Sequence, residues 1–226
     1  MAPSSPDLVL LDAFGTLVAM DPPGPILRAR LAEAGYQASA DVVDAALRRE
    51  ITHYRSRMHI ARDRAGLDAL RAECGQVLAD ALGPGAPPPP EATEMLVASL
   101  RFRLHDDALA ALDSLEARGA RLGVVSNWDC ALPDHLAGLG VADRFDVIAV
   151  SAPVGAAKPD PAIFLHATTV AGVDPARALH VGDRRVEDYQ GARAAGLQAL
   201  LLDRAGSEHG PEVITTLTAI PEIIDG

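Results

Sequence analysis

The stretch Leu8-Val9-Leu10-Leu11-Asp12-Ala13-Phe14-Gly15-Thr16-Leu17 decides how this chain is read. Its opening apolar run suits a strand buried on both faces. The run stops at a carboxylate, and Gly15 lets the backbone turn sharply just beyond it. In open α/β sheets, ligands gather outside the carboxyl ends of the strands. Asp12 therefore stands where chemistry is expected, although an aspartate also caps turns of this kind. Thr16 either bonds a substrate oxygen or closes the same turn.

Outward from this stretch, the chain alternates between helical and extended patterns. Residues 25–82 read as helical. Ile26, Leu27, Leu31 and Ala34 fall near a 3.6 period, and Ser39 and Asp41 are N-cap candidates for a long helix carrying Val42, Val43, Ala46, Leu47, Ile51 and Tyr54. A further helix covers about 65–82. Gly83-Pro84-Gly85-Ala86-Pro87-Pro88-Pro89-Pro90 then reads as a stiff bend between helices, because proline lacks the amide donor. Helices are expected over 91–101 and 106–118, the latter stopped by Gly119. Strands are expected over 121–126, 145–150, 178–181 and 198–202, the last being the final core strand. They are separated by helices over 131–139, 160–171 and 187–195. No role is readable after Arg204. Strands alternating with helices imply a parallel sheet with right-handed crossovers. The expected architecture is α/β, a Rossmann-like parallel sheet flanked by helices. Its core comprises residues 1–17 and 101–226, and residues 18–100 form an inserted helical cap over the sheet's carboxyl edge.

Composition narrows the function classes. At 226 residues the chain can hold one large core with a smaller insert. Apolar residues make up 49% but aromatics only 4%, so the core must be built from Ala, Val, Leu and Ile. A net charge of −11 argues against a nucleic-acid partner, which needs a basic face. The same charge repels anionic substrates, so a phosphate site would need strong local positive charge. Cys74 and Cys130 show neither disulfide-framework nor metal spacing and read as free thiols. Met1-Ala2-Pro3-Ser4-Ser5-Pro6 has no basic start or apolar run, and no apolar stretch suffices to span a bilayer. A cytoplasmic protein without membrane association is expected, as a monomer or homodimer.

Three later strand ends add to Asp12. Ser126-Asn127 closes the strand at Val124-Val125, where a hydroxyl and a neighbouring amide can bind an anion's oxygens; a helix N-cap accounts for the pair equally well. Lys158 lies in Gly155-Ala156-Ala157-Lys158-Pro159-Asp160-Pro161, a loop that proline stiffens. Loop lysines are usually solvated, but this one can pair with Asp12 and a phosphoryl group. It is the only lysine in the chain, and its compact point charge is not replaced by arginine's planar head. Gly182-Asp183 ends another strand, with Asp188 five residues on. With Asp12 these carboxylates make a hard oxygen set suited to Mg²⁺; the plainer reading is that one of them caps the helix that follows.

In this order and spacing the motifs resemble those of the haloacid dehalogenase-like hydrolase superfamily, over nearly the whole chain. Asp12-Ala13-Phe14-Gly15-Thr16 resembles its first motif, Ser126-Asn127 the second, Lys158-Pro159 the third, and Val181-Gly182-Asp183 with Asp188 the fourth. The resemblance implies a Rossmann-like core with a C1-type helical cap inserted after the first motif. It implies that Asp12 is the nucleophile and that Thr16, Ser126, Asn127 and Lys158 hold and neutralise the transferred group. It also implies that Asp12, Asp183, Asp188 and the main-chain carbonyl of Phe14 hold Mg²⁺.

Phe14 departs from the phosphatase pattern. Phosphatases of the superfamily carry a second aspartate there, which protonates the leaving alcohol. General acid–base help of this kind is worth roughly 10²–10⁴-fold. An aromatic residue at that position resembles the 2-haloacid dehalogenases, whose halide leaves without a proton. The fourth motif points the other way, because dehalogenases typically replace its strand-end acid, and Leu122–Leu197 resembles the phosphatase branch of the HAD domain-containing 3 type. The leading expectation is a Mg²⁺-dependent phosphatase of a small, anionic phosphorylated metabolite. Its leaving-group proton would come from substrate, water or a cap histidine such as His53 or His59. The alternatives are 2-haloacid hydrolysis, with Arg28 or Arg30 holding the substrate carboxylate, and a catalytically weak binding protein.

Overall fold

The computed structural model describes residues 6–225. Eight strands follow in chain order: β1 (Leu8–Leu11), β2 (Val18–Met20), β3 (Phe102–Leu104), β4 (Arg121–Ser126), β5 (Val147–Val150), β6 (Ala178–Gly182), β7 (Gln198–Leu202) and β8 (Val213–Ile214). Six of them form one sheet in the order β5-β4-β1-β6-β7-β8, with parallel pairing throughout. The sheet is thus the α/β, Rossmann-like arrangement expected from the strand–helix alternation. The chain leaves β1 for β4 on one side and β6 on the other, so β1 sits where the strand order reverses. Such a switch point opens a crevice at the carboxyl edge.

The described chain divides into two compact units, one running to Ala19 and resuming at Leu104, the other Met20–Arg103. In the first unit every residue of β1 and β6 is buried. Leu8 and Leu10 belong to a cluster that includes Val125 of β4 and Ile163, Phe164 and Ala167 of α8 (Pro161–Ala171). The opposite periodicity, Val9 and Leu11, is equally buried. A strand covered on both sides cannot alternate polar and apolar, which explains the unbroken apolar run.

In the second unit four helices, α1 (Pro23–Glu33), α2 (Ala40–Arg57), α3 (Arg64–Leu82) and α4 (Pro89–Ser99), pack α2 on α3, α3 on α4, and α1 on both α2 and α4. Ser39 caps α2 by accepting from the Val42 amide. Helix α4 starts two residues earlier than its apolar pattern suggests. Pro89 and Pro90 occupy its first positions, where a missing amide donor costs nothing, so the stiff bend ends at Pro88.

Further elements depart from the sequence reading. β2 and β3, each three residues long, are too short to leave a periodic signal. The stretch expected as one helix over 187–195 is a wide π-turn, Arg185–Gln190, followed by the short α9 (Gly191–Ala194). β7 is not the last strand either: beyond Arg204, β8 pairs with it through Leu201–Val213 and Leu202–Ile214.

Candidate active site

The register sets the site. Leu11 lies beside Val124 on one neighbour and Val181 on the other. Ser126 and Asp183 therefore both emerge one residue beyond the level of Asp12, from the same edge of three adjacent strands. The Asp12 amide stays in the sheet, donating to the Val181 carbonyl at 2.9 Å, and its side chain is 8% exposed. Asp12 Oδ1 accepts from Ser126 Oγ at 3.0 Å and from Lys158 Nζ at 2.6 Å. Ser126 is therefore a partner of the carboxylate and caps no helix.

Lys158 is brought to this edge by its backbone. Asn127 accepts from the Lys158 amide at 2.8 Å and donates to the Lys158 carbonyl at 2.9 Å. This clasp aims the ammonium inward, where its remaining donors meet Asp188 Oδ1 at 2.5 Å and the Val125 carbonyl at 2.8 Å. The side chain is 3% exposed.

Asp188 lies beneath β6 and is fully buried. Besides Lys158 it meets His180 Nε2 at 3.0 Å and accepts the Arg184 amide at 2.9 Å. Gly182 makes this possible, since a Cβ there would lie 2.2 Å from Asp188 Cγ. The wide turn and the glycine together let the carboxylate fold back under its own strand. His180 went unnoticed as a site residue because it occupies a core position of an apolar strand; its only outward signal is a lone polar side chain inside Ala178-Leu179-His180-Val181-Gly182.

Ligand oxygens of Asp12, Asp183 and Asp188 lie within 4.8 Å of one another. Three carboxylates share the site with one ammonium, which Asp12 and Asp188 contact, and burial lowers the His180 pKa, which favours the neutral imidazole. Negative charge is thus in excess, and the titration of each group reflects it. Burial raises the Asp12 carboxyl, and the Asp188 charge adds to this against the pull of Lys158. Burial, followed by the charges of Asp12 and Asp188, pushes Asp183 up to about 6. Burial acts on Asp188 in the same sense, but Lys158 and His180 outweigh it and hold that carboxyl well below the usual range. Lys158 is raised: the two carboxylates overcome the effect of burial and keep it charged.

Three buried atoms here meet no hydrogen-bond partner among the described residues: Thr16 Oγ1, Asp183 Oδ1 and His180 Nδ1. A buried unpaired polar group costs roughly 1–3 kcal/mol. A hydroxyl offering a donor and a carboxylate offering an acceptor are what an incoming oxyanion and a hard cation would satisfy. Thr16 does not close the turn with its side chain, as one reading held; its amide does so, donating to Ala13. Oxygen donors alone, in charge excess, with one aspartate oxygen orphaned, fit Mg²⁺.

Phe14 is 43% exposed, and its ring meets Trp128 edge-on with centroids 6.2 Å apart. The histidines and arginines considered as helpers, His53, His59, Arg28 and Arg30, all belong to the second unit. His53 is engaged there by Glu73 at 3.0 Å, which Arg57 also holds. Arg30 lines a cleft of about 410 Å³ with Ile26, Glu33 and Arg101.

A profile described as haloacid dehalogenase-like hydrolase matches residues 6–196. Among curated relatives, the haloacid dehalogenase-like hydrolase domain-containing protein 3 of Mus musculus is 45% identical over 107 residues, 47% of this chain and 42% of that protein. A phosphoserine phosphatase of Thermus thermophilus is 36% identical over 159 residues, 65% of this chain and 63% of that protein. The chain thus spans less than two thirds of the length of these relatives. Among solved structures, a 2-haloacid dehalogenase from Pseudomonas syringae pv. Tomato DC3000 superposes with a TM-score of 0.67 at 25% identity, covering 97% of this chain and 98% of that one.

Proposed function

The chain belongs to the haloacid dehalogenase-like hydrolase family, and we propose that it is a Mg²⁺-dependent phosphohydrolase of a small anionic phosphate ester. The observation that carries this reading is the acidic set Asp12, Asp183 and Asp188, whose ligand atoms lie within 4.8 Å. Hydrolysis at a carbon–halogen bond has no use for it, whereas phosphoryl transfer depends on offsetting charge. Asp12, Asp183 and the Phe14 carbonyl would hold the ion, with Asp188 completing the set. When bound, it would neutralise the carboxylates and the incoming phosphate.

Both side-chain donors to Asp12 fall on Oδ1, which leaves Oδ2 to attack phosphorus. The phosphorus–oxygen ester bond breaks as the Asp12–phosphorus bond forms, and the alcohol leaves. The unpartnered Thr16 hydroxyl would donate to a phosphoryl oxygen, while Ser126 and Lys158, whose donors are already engaged, hold Asp12 in place. Water then attacks the phosphorus, releasing inorganic phosphate and restoring the carboxylate. Phe14 supplies no proton to the departing oxygen, so alkyl esters should turn over slowly and aryl esters faster. The substrate, water or another residue must supply that proton.

Phosphate release from aryl and alkyl esters, with Mg²⁺ and with EDTA, tests the reading. Activity confined to Mg²⁺, with aryl above alkyl, is expected, and Phe14→Asp should raise alkyl turnover selectively. No phosphate from any ester in Mg²⁺ overturns it. Phe14 against Trp128 favours one second reading, displacement of halide from the α-carbon of a 2-haloacid by Asp12. Halide released from 2-chloropropionate in EDTA would establish that chemistry instead. Silence in both assays would point to a binding protein that turns nothing over.

A further inference from the structure

We infer that Arg204, locked by Asp107, is a positioning residue that fixes the nucleophile loop from outside. The inference rests on the functional reading above only for its kinetic consequence.

The loop after Asp12 winds around one carbonyl. Ala13 O accepts from the amides of Thr16 at 3.3 Å, Leu17 at 2.9 Å and Val18 at 2.7 Å. Gly15, at φ +91°, turns its own carbonyl away from this set. Arg204 meets the outward carbonyls: Nε donates to Gly15 O at 3.3 Å and Nη2 to Thr16 O at 2.8 Å. The other edge of the guanidinium grips Asp107 in a two-pronged pair, Nη1 to Oδ2 at 2.9 Å and Nη2 to Oδ1 at 3.0 Å. Asp107 is fixed in turn, since Oδ2 accepts from Thr216 Oγ1 at 2.9 Å and from the Leu217 amide at 2.8 Å. Asp107 precedes α5 (Ala108–Ala117), Arg204 follows β7, and Thr216 follows β8. The segment beyond Arg204 thereby acquires a role, because it holds the anchor of the strap.

What the strap positions is Asp12 and Asp183 together. A Cβ on Gly15 would lie 2.4 Å from Asp183 Oδ2, so the Gly15 backbone is the wall against which that carboxylate rests. A shift of the loop moves the nucleophile and the Asp183 oxygen at once. Displacement of a reacting group by about 1 Å can cost on the order of 10²-fold in rate. Lysine cannot reproduce the device, because its single nitrogen cannot span two carbonyls and a carboxylate as a planar fork does. Arg204 touches no reacting atom in this scheme.

The test compares wild type with Arg204→Ala, Arg204→Lys and Asp107→Asn. Amide hydrogen exchange, which needs no activity, should quicken at Thr16, Leu17 and Val18 by about 10-fold or more in Arg204→Ala, while the β1 and β4 amides stay protected. With an aryl phosphate and Mg²⁺, kcat should fall about 10–100-fold with KM within about 3-fold. Arg204→Lys should recover part of the loss, and Asp107→Asn should follow Arg204→Ala in direction. Unchanged exchange at residues 16–18, or acceleration spread evenly over the sheet, overturns the strap. So does a rise in KM at constant kcat, which would make Arg204 a substrate ligand. A wild type that releases no phosphate overturns the functional reading, and the exchange pattern still decides the strap.

Discussion

Lys158 is the residue whose replacement tests the site most directly. Its ammonium donates to Asp12 at 2.6 Å, Asp188 at 2.5 Å and the Val125 carbonyl at 2.8 Å, which uses all three of its protons. At an effective dielectric of about 20, each carboxylate attraction is worth about 6 kcal/mol before desolvation. Burying three ionised groups offsets most of that gain. Deleting only the cation leaves the desolvation of two carboxylates uncompensated, so Lys158→Met should lose about 3–5 kcal/mol. Against a typical stability of about 5–15 kcal/mol, this variant should still fold. Lys158→Arg keeps the charge but brings a longer, planar head into a site where the native side chain is 3% exposed. It should stay folded and lose at least about 10²-fold in kcat, the scale of removing one aimed charge from a reaction centre. Urea denaturation followed by circular dichroism reads the first effect, and continuous phosphate release reads the second. The reasoning fails if Lys158→Met lies within about 1 kcal/mol of wild type. It fails equally if Lys158→Arg keeps more than about a third of wild-type turnover.

Three further outcomes follow from the same geometry. Gly15→Ala combines a left-handed backbone with a Cβ 2.4 Å from Asp183 Oδ2, so it should cost about 1–2 kcal/mol and weaken Mg²⁺ binding by calorimetry; wild-type affinity would count against the proposed ligand set. Asp183 has its carboxyl raised to about 6 from 3.8, so its ionisation opposes folding increasingly as pH rises from 3.8 and fully above about 6. In EDTA at pH 8, Asp183→Asn should gain about 1–2 kcal/mol, the gain should vanish near pH 4, and Mg²⁺ should reverse the ranking; equal urea midpoints in EDTA would refute the charge-excess argument. For Asp107, burial raises the carboxyl, but the bonds from Arg204, Leu217 and Thr216 outweigh it and bring it down to about 2. Its contribution, about 1 kcal/mol after allowance for partial exposure, is present above about pH 4 and is lost as pH falls toward 2. The stability gap between wild type and Asp107→Asn should therefore narrow over that interval.

Much of the site was legible in sequence because a parallel sheet converts order along the chain into proximity at one edge. Asp12, Ser126 and Asp183 each follow a short apolar run, and strand ends converge whatever the exact strand order. Lys158 was legible for a different reason, its isolation as the only lysine in an arginine-rich chain. Asn127 was identified but its task was not: it clasps the Lys158 backbone, a contact between two loops that no periodicity announces. His180 was hidden because a strand position looks like core even when its side chain serves a carboxylate. The π-turn over Arg185–Gln190 answers a tertiary demand, the passage of Asp188 beneath Gly182, which helical propensity cannot register. Arg204, Asp107 and Thr216 left no trace because their meeting depends on a two-residue strand, β8, at the edge of the sheet.

On the proposed reading, a chain of net charge −11 has to receive an anion. Several of its arginines form ion pairs with neighbouring carboxylates, as Arg121 does with Asp146 and Arg144 with Asp113 and Glu116. At the carboxyl edge of the sheet the one lysine is sealed between carboxylates, and its charge is spent on them before any substrate arrives. On that reading, a further cation would make the edge attractive to phosphate, and the orphaned oxygen of Asp183 would be among its ligands. The carboxylate cluster in which Asp12 is proposed to act as nucleophile is also self-repelling without a metal. Function and stability should accordingly trade against each other most sharply at Asp183, and Mg²⁺ should be the ligand that reconciles them.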